Sequence, residues 1–321
     1  MMDKPTFRRQ ILQLSAFSPA YQERLWQYQL KENPVLNSFY TELERGDPIF
    51  FPIEFFKAFA LKTGGTWKEE QIFQSSGTTG QIPSQHFVRD LSWYREVVNA
   101  GFQHFFPKTS YRILALLPSY LERGNSSLVY MVKTWMDHWG LPGSGFYLYN
   151  FDALEQAIVE AKEAREPILL IGVTFALLEF ASKFPISLSE GDFVMETGGM
   201  KGRGEELTRD ALHLQLSKGF QGGRILSEYG MTELMSQAYA FEAGRFVCPP
   251  WMRVEILDVN LPTQILEVGY RGRIGIVDLA NIDSCGFILT DDLGVKHEDG
   301  SFEVLGRVEN SELRGCNLMY A

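Results

Sequence analysis

The stretch that decides the fold runs from Ile168 to Thr197: Ile168-Leu-Leu-Ile-Gly-Val173, a helical pattern from Phe175 to Phe184, then Phe193-Val-Met-Glu-Thr197. Short apolar, β-branched runs alternating with helical patterns build β-α units, whose strands lie mainly parallel in a sheet with helices packed on it. Working outward, Tyr111-Arg-Ile-Leu-Ala-Leu-Leu117 precedes a helical pattern from Ser126 to Trp139, and another from Gly204 to Leu216 follows the Phe193 run. From Phe7 to Glu44, apolar and aromatic residues recur at loosely helical spacing, broken at Pro19 and Pro34. Beyond about Ala240 the texture changes to short strands with turn signals: Arg253-Val-Glu-Ile-Leu257, Gly275-Ile-Val-Asp-Leu279, Gly286-Phe-Ile-Leu-Thr290 and Phe302-Glu-Val-Leu305. The expected organisation is an α/β core with a helical N-terminal region over residues 1–240, then a small β-rich subdomain and C-terminal tail over 241–321. The Phe-rich segments Phe50 to Phe59 and Phe102 to Phe106 fit a buried core first, although they could line an apolar slot.

The chain has 321 residues with 30 Lys+Arg against 40 Asp+Glu, a formal charge of −10 that argues against a dedicated nucleic-acid binder. Hydrophobic residues at 45% and charged residues at 22% are the proportions of a globular chain with a large core, not of a disordered one. No apolar run reaches the roughly 18–20 residues of a membrane span, and the start lacks a signal peptide's apolar stretch, so the expected location is the cytoplasm. Cys248, Cys285 and Cys316 are an odd number without a C-x-x-C pair, which argues against a disulfide framework and a thiolate zinc site. Zinc-protease and serine-hydrolase chemistry lack their residues, since neither H-E-x-x-H nor G-x-S-x-G occurs.

Three motifs could carry chemistry. In Ser75-Ser76-Gly77-Thr78-Thr79-Gly80 two glycines allow a tight turn, and four hydroxyls plus exposed amides can surround phosphate oxygens; a polar surface turn has the same composition. The Walker pattern G-x-x-x-x-G-K-[ST] is absent. In Ser227-Glu228-Tyr229-Gly230-Met231-Thr232-Glu233, Tyr229 could stack a purine while Thr232 and Glu233 reach phosphate oxygens and a magnesium ion; alternatively it is a strand-to-helix turn capped by Thr232. In Thr290-Asp291-Asp292-Leu293-Gly294 and Gly306-Arg307-Val308-Glu309, a carboxylate could accept both hydroxyls of a ribose with an arginine beside it, although Asp-Asp before Leu-Gly reads most simply as a hairpin turn.

Taken in order, these motifs resemble the adenylate-forming superfamily of acyl- and aryl-CoA ligases, luciferases and related synthetases. A closer resemblance, over essentially the whole chain, is to the LuxE-like acyl-protein synthetases of the bacterial bioluminescence fatty-acid reductase system. It rests on Leu117-Pro-Ser-Tyr-Leu-Glu-Arg-Gly-Asn-Ser-Ser-Leu-Val, Glu196-Thr-Gly-Gly-Met-Lys-Gly-Arg and Glu312-Leu-Arg-Gly-Cys-Asn-Leu-Met. The resemblance implies an adenylate-forming large-domain fold, mainly parallel sheets flanked by helices, that lacks the usual mobile C-terminal domain. It implies ATP and Mg2+ as cofactors, with Ser75 to Gly80 on the phosphates and Tyr229-Gly230 on adenine. The Gly198-Gly199 turn would lie against adenine and the acyl group, with Lys201 and Arg203 adding charge near the phosphates. Thr232 and Glu233 would serve magnesium and phosphate, Asp292 the ribose and Arg307 its support. Cys316 would accept the acyl group of a fatty or other carboxylic acid as a thioester, and an acyl-reductase or acyl-transferase would collect it.

The chain departs from the superfamily pattern at three points. No lysine follows the Ser/Thr/Gly loop, whose next residues are Gln81-Ile-Pro-Ser-Gln; the usual T-G-D reads Thr290-Asp291-Asp292; and the sequence stops five residues after Cys316, where other members begin a domain that supplies a catalytic lysine. Two further readings stay open: a ligase that hands its acyl group to CoA or a carrier protein, and a non-catalytic nucleotide- or acyl-binding subunit. The five histidines are expected to be structural or surface residues, and Cys248 and Cys285 core.

Overall fold

A computed structural model describes residues 2–42, 49–75, 82–108, 110–118, 124–198, 207–242 and 244–308. It resolves into two compact units. One spans Val98–Met231 and Gln237–Phe246; the other takes the chain up to Val97, Thr232–Ser236 and the described residues from Val247 onward.

In the first unit a six-stranded sheet runs in the spatial order Ala238–Ala240, Arg224–Tyr229, Phe193–Thr197, Ile168–Val173, Arg112–Leu116, Gly145–Phe146. Every pairing is parallel except that of Ala238–Ala240 with Arg224–Tyr229. The strands Arg112–Leu116, Ile168–Val173 and Phe193–Thr197 are buried at every residue, so apart from Arg112, Glu196 and Thr197 they read as apolar runs, as strands covered on both faces do. Helices start where side chains satisfy the first free amides: Ser126 accepts from Val129 N, Asn150 from Ala153 N and Thr208 from Ala211 N. The Thr208 cap sets the start of the helix Arg209–Gly219 later than the Gly204 that periodicity suggests; residues 199–206 lie outside the described residues. Of this sheet's strands the first in chain order, Arg112–Leu116, sits between the second and third, so the winding reverses there. Open α/β sheets bind ligands outside the carboxyl ends of their strands near such a reversal. Phe102 and Phe106 pack on Trp135, Tyr111 and Phe193 in this unit's core.

The second unit is built on an antiparallel sheet of Met252–Leu257, Arg271–Asp278, Phe287–Lys296 and Phe302–Arg307. Phe51–Pro52 joins it, parallel to Phe287–Lys296, with Phe51 opposite Ile288. This unit crosses the boundary expected at 240/241, because N-terminal helices fold onto C-terminal strands. Trp26, on the helix Pro19–Glu32, meets Phe51 at 5.8 Å and Phe287 at 5.1 Å between ring centroids. From the same helix, buried Gln29 donates to the Asn281 carbonyl at 2.8 Å and accepts from Gly286 N at 2.9 Å. Lys4 and Arg8 pair with Asp283. Phe51 and Phe56 are core residues here.

Two local expectations change. Asp291 and Asp292 lie inside the strand Phe287–Lys296, not at a hairpin tip; the turn falls at His297–Ser301, where His297 N donates to Ser301 O at 2.8 Å and Gly300 takes φ +85°. No helix begins at Thr232. Asp278, fully buried, accepts from Met235 N at 2.9 Å, Ser236 N at 3.1 Å and Ser236 Oγ at 2.7 Å, holding residues 232–236 as a turn. Among the described residues no helix is long and apolar enough to cross a membrane.

Candidate active site

The Ser/Thr/Gly motif begins at the end of a hairpin. Strands Gln71–Gln74 and Gln85–Val88 pair antiparallel; beyond them Ser75 N donates to Ser84 O at 3.1 Å, and Ser84 N donates to Ser75 Oγ at 2.9 Å. This double link fixes the base from which the loop departs. Ser76, Gly77, Thr78, Thr79 and Gly80 lie outside the described residues, as do Gly199, Lys201, Arg203 and Cys316.

The same unit brings the hairpin to the Thr232-Glu233 turn. His86 Nδ1 lies 2.9 Å from the Thr232 carbonyl and Nε2 lies 3.2 Å from Asn281 Oδ1; burial pushes the imidazole down to about 4, so it is neutral near pH 7. Asn281 Nδ2 donates at 2.8 Å to the carbonyls of Glu233 and Cys285. With Asp278 holding Met235 and Ser236, the backbone on either side of Glu233 is fixed before any ligand arrives. The Glu233 side chain is 4% exposed. Burial raises its carboxyl above the usual range, opposed by a hydrogen bond from Ser84 and by the charges of Lys57 and Arg307.

Asp292 and Arg307 are cross-strand partners, Arg307 Nε donating to Asp292 Oδ1 at 3.3 Å. The Arg307 side chain is 82% exposed and Asp292's 14%, so the pair adds little stability and leaves the guanidinium accessible. Its neighbour Asp291 is held by Arg273 Nη2 at 3.1 Å. Ser75, Thr232, Glu233, Asp292 and Arg307, distant in sequence, therefore belong to one unit. Ser84, His86, Asn281, Asp278 and Lys57 belong to the same network. They stand in no motif, and their roles come from interactions between segments distant in the chain.

The other unit carries a buried polar cluster at the carboxyl ends of two neighbouring strands. Glu196 and Ser227 are register partners. Arg209 Nη1 donates to Glu196 Oε1 at 2.5 Å and to Ser227 Oγ at 2.8 Å, and Thr174 Oγ1 donates to Glu196 Oε2 at 2.9 Å. Thr197 Oγ1 donates to Glu228 Oε2 at 2.5 Å. For Glu196 the effect of burial is outweighed by His213, Arg209, Ser227 and Thr174, which hold it below the usual carboxylate range. Glu228 is driven the other way, up to about 7, by burial and then by the charge of Glu196. The pair thus carries one negative charge, on Glu196 beside Arg209, at mildly acid pH and gains a second as Glu228 ionises through neutrality. Next to it, Gly198 takes φ +77°, and a Cβ on Gly230 would meet Glu228 Oε1 at 2.3 Å, so both positions need glycine. Tyr229 is 9% exposed and packs on Phe246 at 5.7 Å.

The raised Glu228 gives a stability prediction. Its contribution is fully present below the unfolded value of 4.5 and is lost as pH rises from there through about 7. Glu228→Gln keeps an acceptor for Thr197 without the buried charge. It is expected to stabilise the protein at about pH 8 by roughly 3 kcal/mol and to flatten the decline between those values. Denaturant titrations at a series of pH values measure both; an unchanged pH dependence in the variant refutes the assignment.

Comparison with solved structures defines the class. The chain resembles a luciferase-like enzyme from the mealworm Zophobas morio at 17% identity and TM-score 0.53, covering 78% of this chain and 61% of that one. ATP-bound MatB from Rhodopseudomonas palustris aligns at 21% identity and TM-score 0.55 over 78% of this chain and 50% of its own. A 2-hydroxyisobutyryl-CoA ligase, in its postadenylation state with R3-HIB-AMP, aligns at 12% identity and TM-score 0.62 over 96% and 69%. The fold is that of the adenylate-forming enzymes, and this chain spans about half to three-fifths of the length of the first two of these proteins. Within that class it belongs to the acyl-protein synthetase (LuxE) family, whose pattern it matches over residues 9–321. No curated protein sequence matches it.

Proposed function

We propose that the chain is an ATP-dependent acyl-protein synthetase. A carboxylate oxygen of a fatty or other acid attacks the α-phosphorus of ATP, the bond to the bridging oxygen breaks, and pyrophosphate leaves with an acyl-adenylate remaining. The Cys316 thiolate then attacks the acyl carbon, the bond to AMP breaks, and a thioester forms for delivery to a reductase or transferase partner. The first step needs no general base, because the carboxylate is already the nucleophile; the protein positions the reactants and neutralises charge.

The observation that carries this reading is the buried Glu233 in the network of Ser84, Lys57 and Arg307. Magnesium in nucleotide sites is commonly held by one or two carboxylates, with the rest of its shell from phosphates and water. A single buried carboxylate such as Glu233 fits an ion that arrives with its nucleotide. In this reading Ser75 to Gly80 hold the phosphates, Thr232 assists Glu233, Asp292 and Arg307 hold the ribose, and Tyr229, Gly230 and the Gly198-Gly199 turn receive adenine.

The test is ATP–pyrophosphate exchange and intact-protein mass spectrometry with a panel of fatty and aryl acids. Acid-dependent exchange and a hydroxylamine-sensitive acyl mass are expected. AMP release without an adduct moves the acceptor to CoA or a carrier protein, and neither signal leaves a non-catalytic binding subunit.

A further inference from the structure

Building on the adenylation reading, we infer that Lys57 is the cation that binds the β- and γ-phosphates of ATP. The triphosphate brings about four negative charges to a region that already holds the carboxyl groups of Glu233, Asp291 and Asp292. Charge of the opposite sign must meet them, and Gln81-Ile-Pro-Ser-Gln provides none. Several other cations of the same unit are already paired: Arg273 with Asp291, Lys62 with Glu69, Arg89 beside Asp283, and Arg307, at an exposed site, with Asp292. Lys57 is exposed, and its ammonium has no ion pair or hydrogen bond among the described residues.

Its position is set by backbone and ring contacts. Ile53 N donates to Leu289 O at 3.0 Å, extending the pairing of Phe51–Pro52 with the strand that carries Asp292. One turn later, in the helix Phe55–Ala58, the Phe56 ring packs edge-on against His86 at 5.8 Å, on the hairpin strand that follows Ser84. The helix that carries Lys57 is thus tied both to the Asp292 strand and to the hairpin that leads into the Ser/Thr/Gly motif. A flexible ammonium with three donors suits phosphate oxygens as a point charge.

The test compares Lys57→Ala and Lys57→Arg with wild type for binding of Mg-ATP and of AMP by isothermal titration calorimetry at fixed ionic strength. Lys57→Ala should weaken ATP about tenfold and leave AMP within twofold, because AMP lacks the phosphates concerned. Lys57→Arg should recover most of the ATP affinity. A loss of ATP affinity below threefold, or equal losses for ATP and AMP, overturns the assignment while leaving adenylation intact. Wild-type protein that binds neither nucleotide overturns the adenylation reading itself, and Lys57's role with it.

Discussion

Cys316→Ser, incubated with ATP, magnesium and the preferred acid, is expected to carry no hydroxylamine-sensitive acyl mass while it exchanges pyrophosphate at the wild-type rate. An acyl-adenylate is a mixed anhydride with a good leaving group, so what limits capture is the supply of a strong nucleophile. The thiolate is that nucleophile; a serine hydroxyl without an activating base is not. Competition from the other two thiols is negligible. Cys285 is fully buried and Cys248 half-buried, and burial pushes both thiols up to about 12. Near pH 7 roughly one such thiol in 10⁵ is ionised. Arg314, two residues from Cys316, has the sign of charge that favours a thiolate. An acyl mass that persists in the variant moves the acceptor to another residue. Loss of exchange together with the adduct makes Cys316 part of the adenylation step.

The parallel sheet was legible because its strands are covered on both faces: Ile168–Val173 is a continuous apolar run and Phe193–Met195 opens another, each followed by a helical pattern. The partition of the chain was not. Gln29 bonds to Asn281, and Phe51 pairs with Ile288, across more than two hundred residues. Such pairings obey geometry that no local window contains. Asp291-Asp292 misled for a related reason, since turn propensity is local, whereas Arg273 holds Asp291 within a strand. At the candidate site the motifs marked Thr232, Glu233, Asp292 and Arg307, while the residues that fix them were hidden. His86 and Asn281 act on the turn through backbone carbonyls, and backbone recognition leaves no sequence signature. Gly230 was singled out for ligand contact; its requirement for glycine has a local cause in the Glu228 carboxyl beside it.

Glu233→Gln is expected to lower kcat/KM for ATP–pyrophosphate exchange by on the order of 10²-fold, with its unfolding midpoint retained. Glutamine has the volume of glutamate and an oxygen that can accept from Ser84, so packing and the Asn281 bond to the Glu233 carbonyl survive. What disappears is the negative charge, and with it a hard oxygen ligand for magnesium. Because burial raises this carboxyl, its ionisation costs stability as pH rises, and the neutral amide should be no less stable than wild type at about pH 8. Catalysis has the opposite sign. Magnesium needs the ionised carboxylate, so wild-type exchange should fall as pH drops through the raised value, and Glu233→Gln should lack that limb. Bound magnesium and the Lys57 and Arg307 charges all favour ionisation, so rising magnesium should shift the wild-type limb to lower pH. A limb that ignores magnesium, or a variant that keeps both rate and limb, assigns Glu233 to structure alone. Loss of activity that follows loss of fold across temperature would do the same.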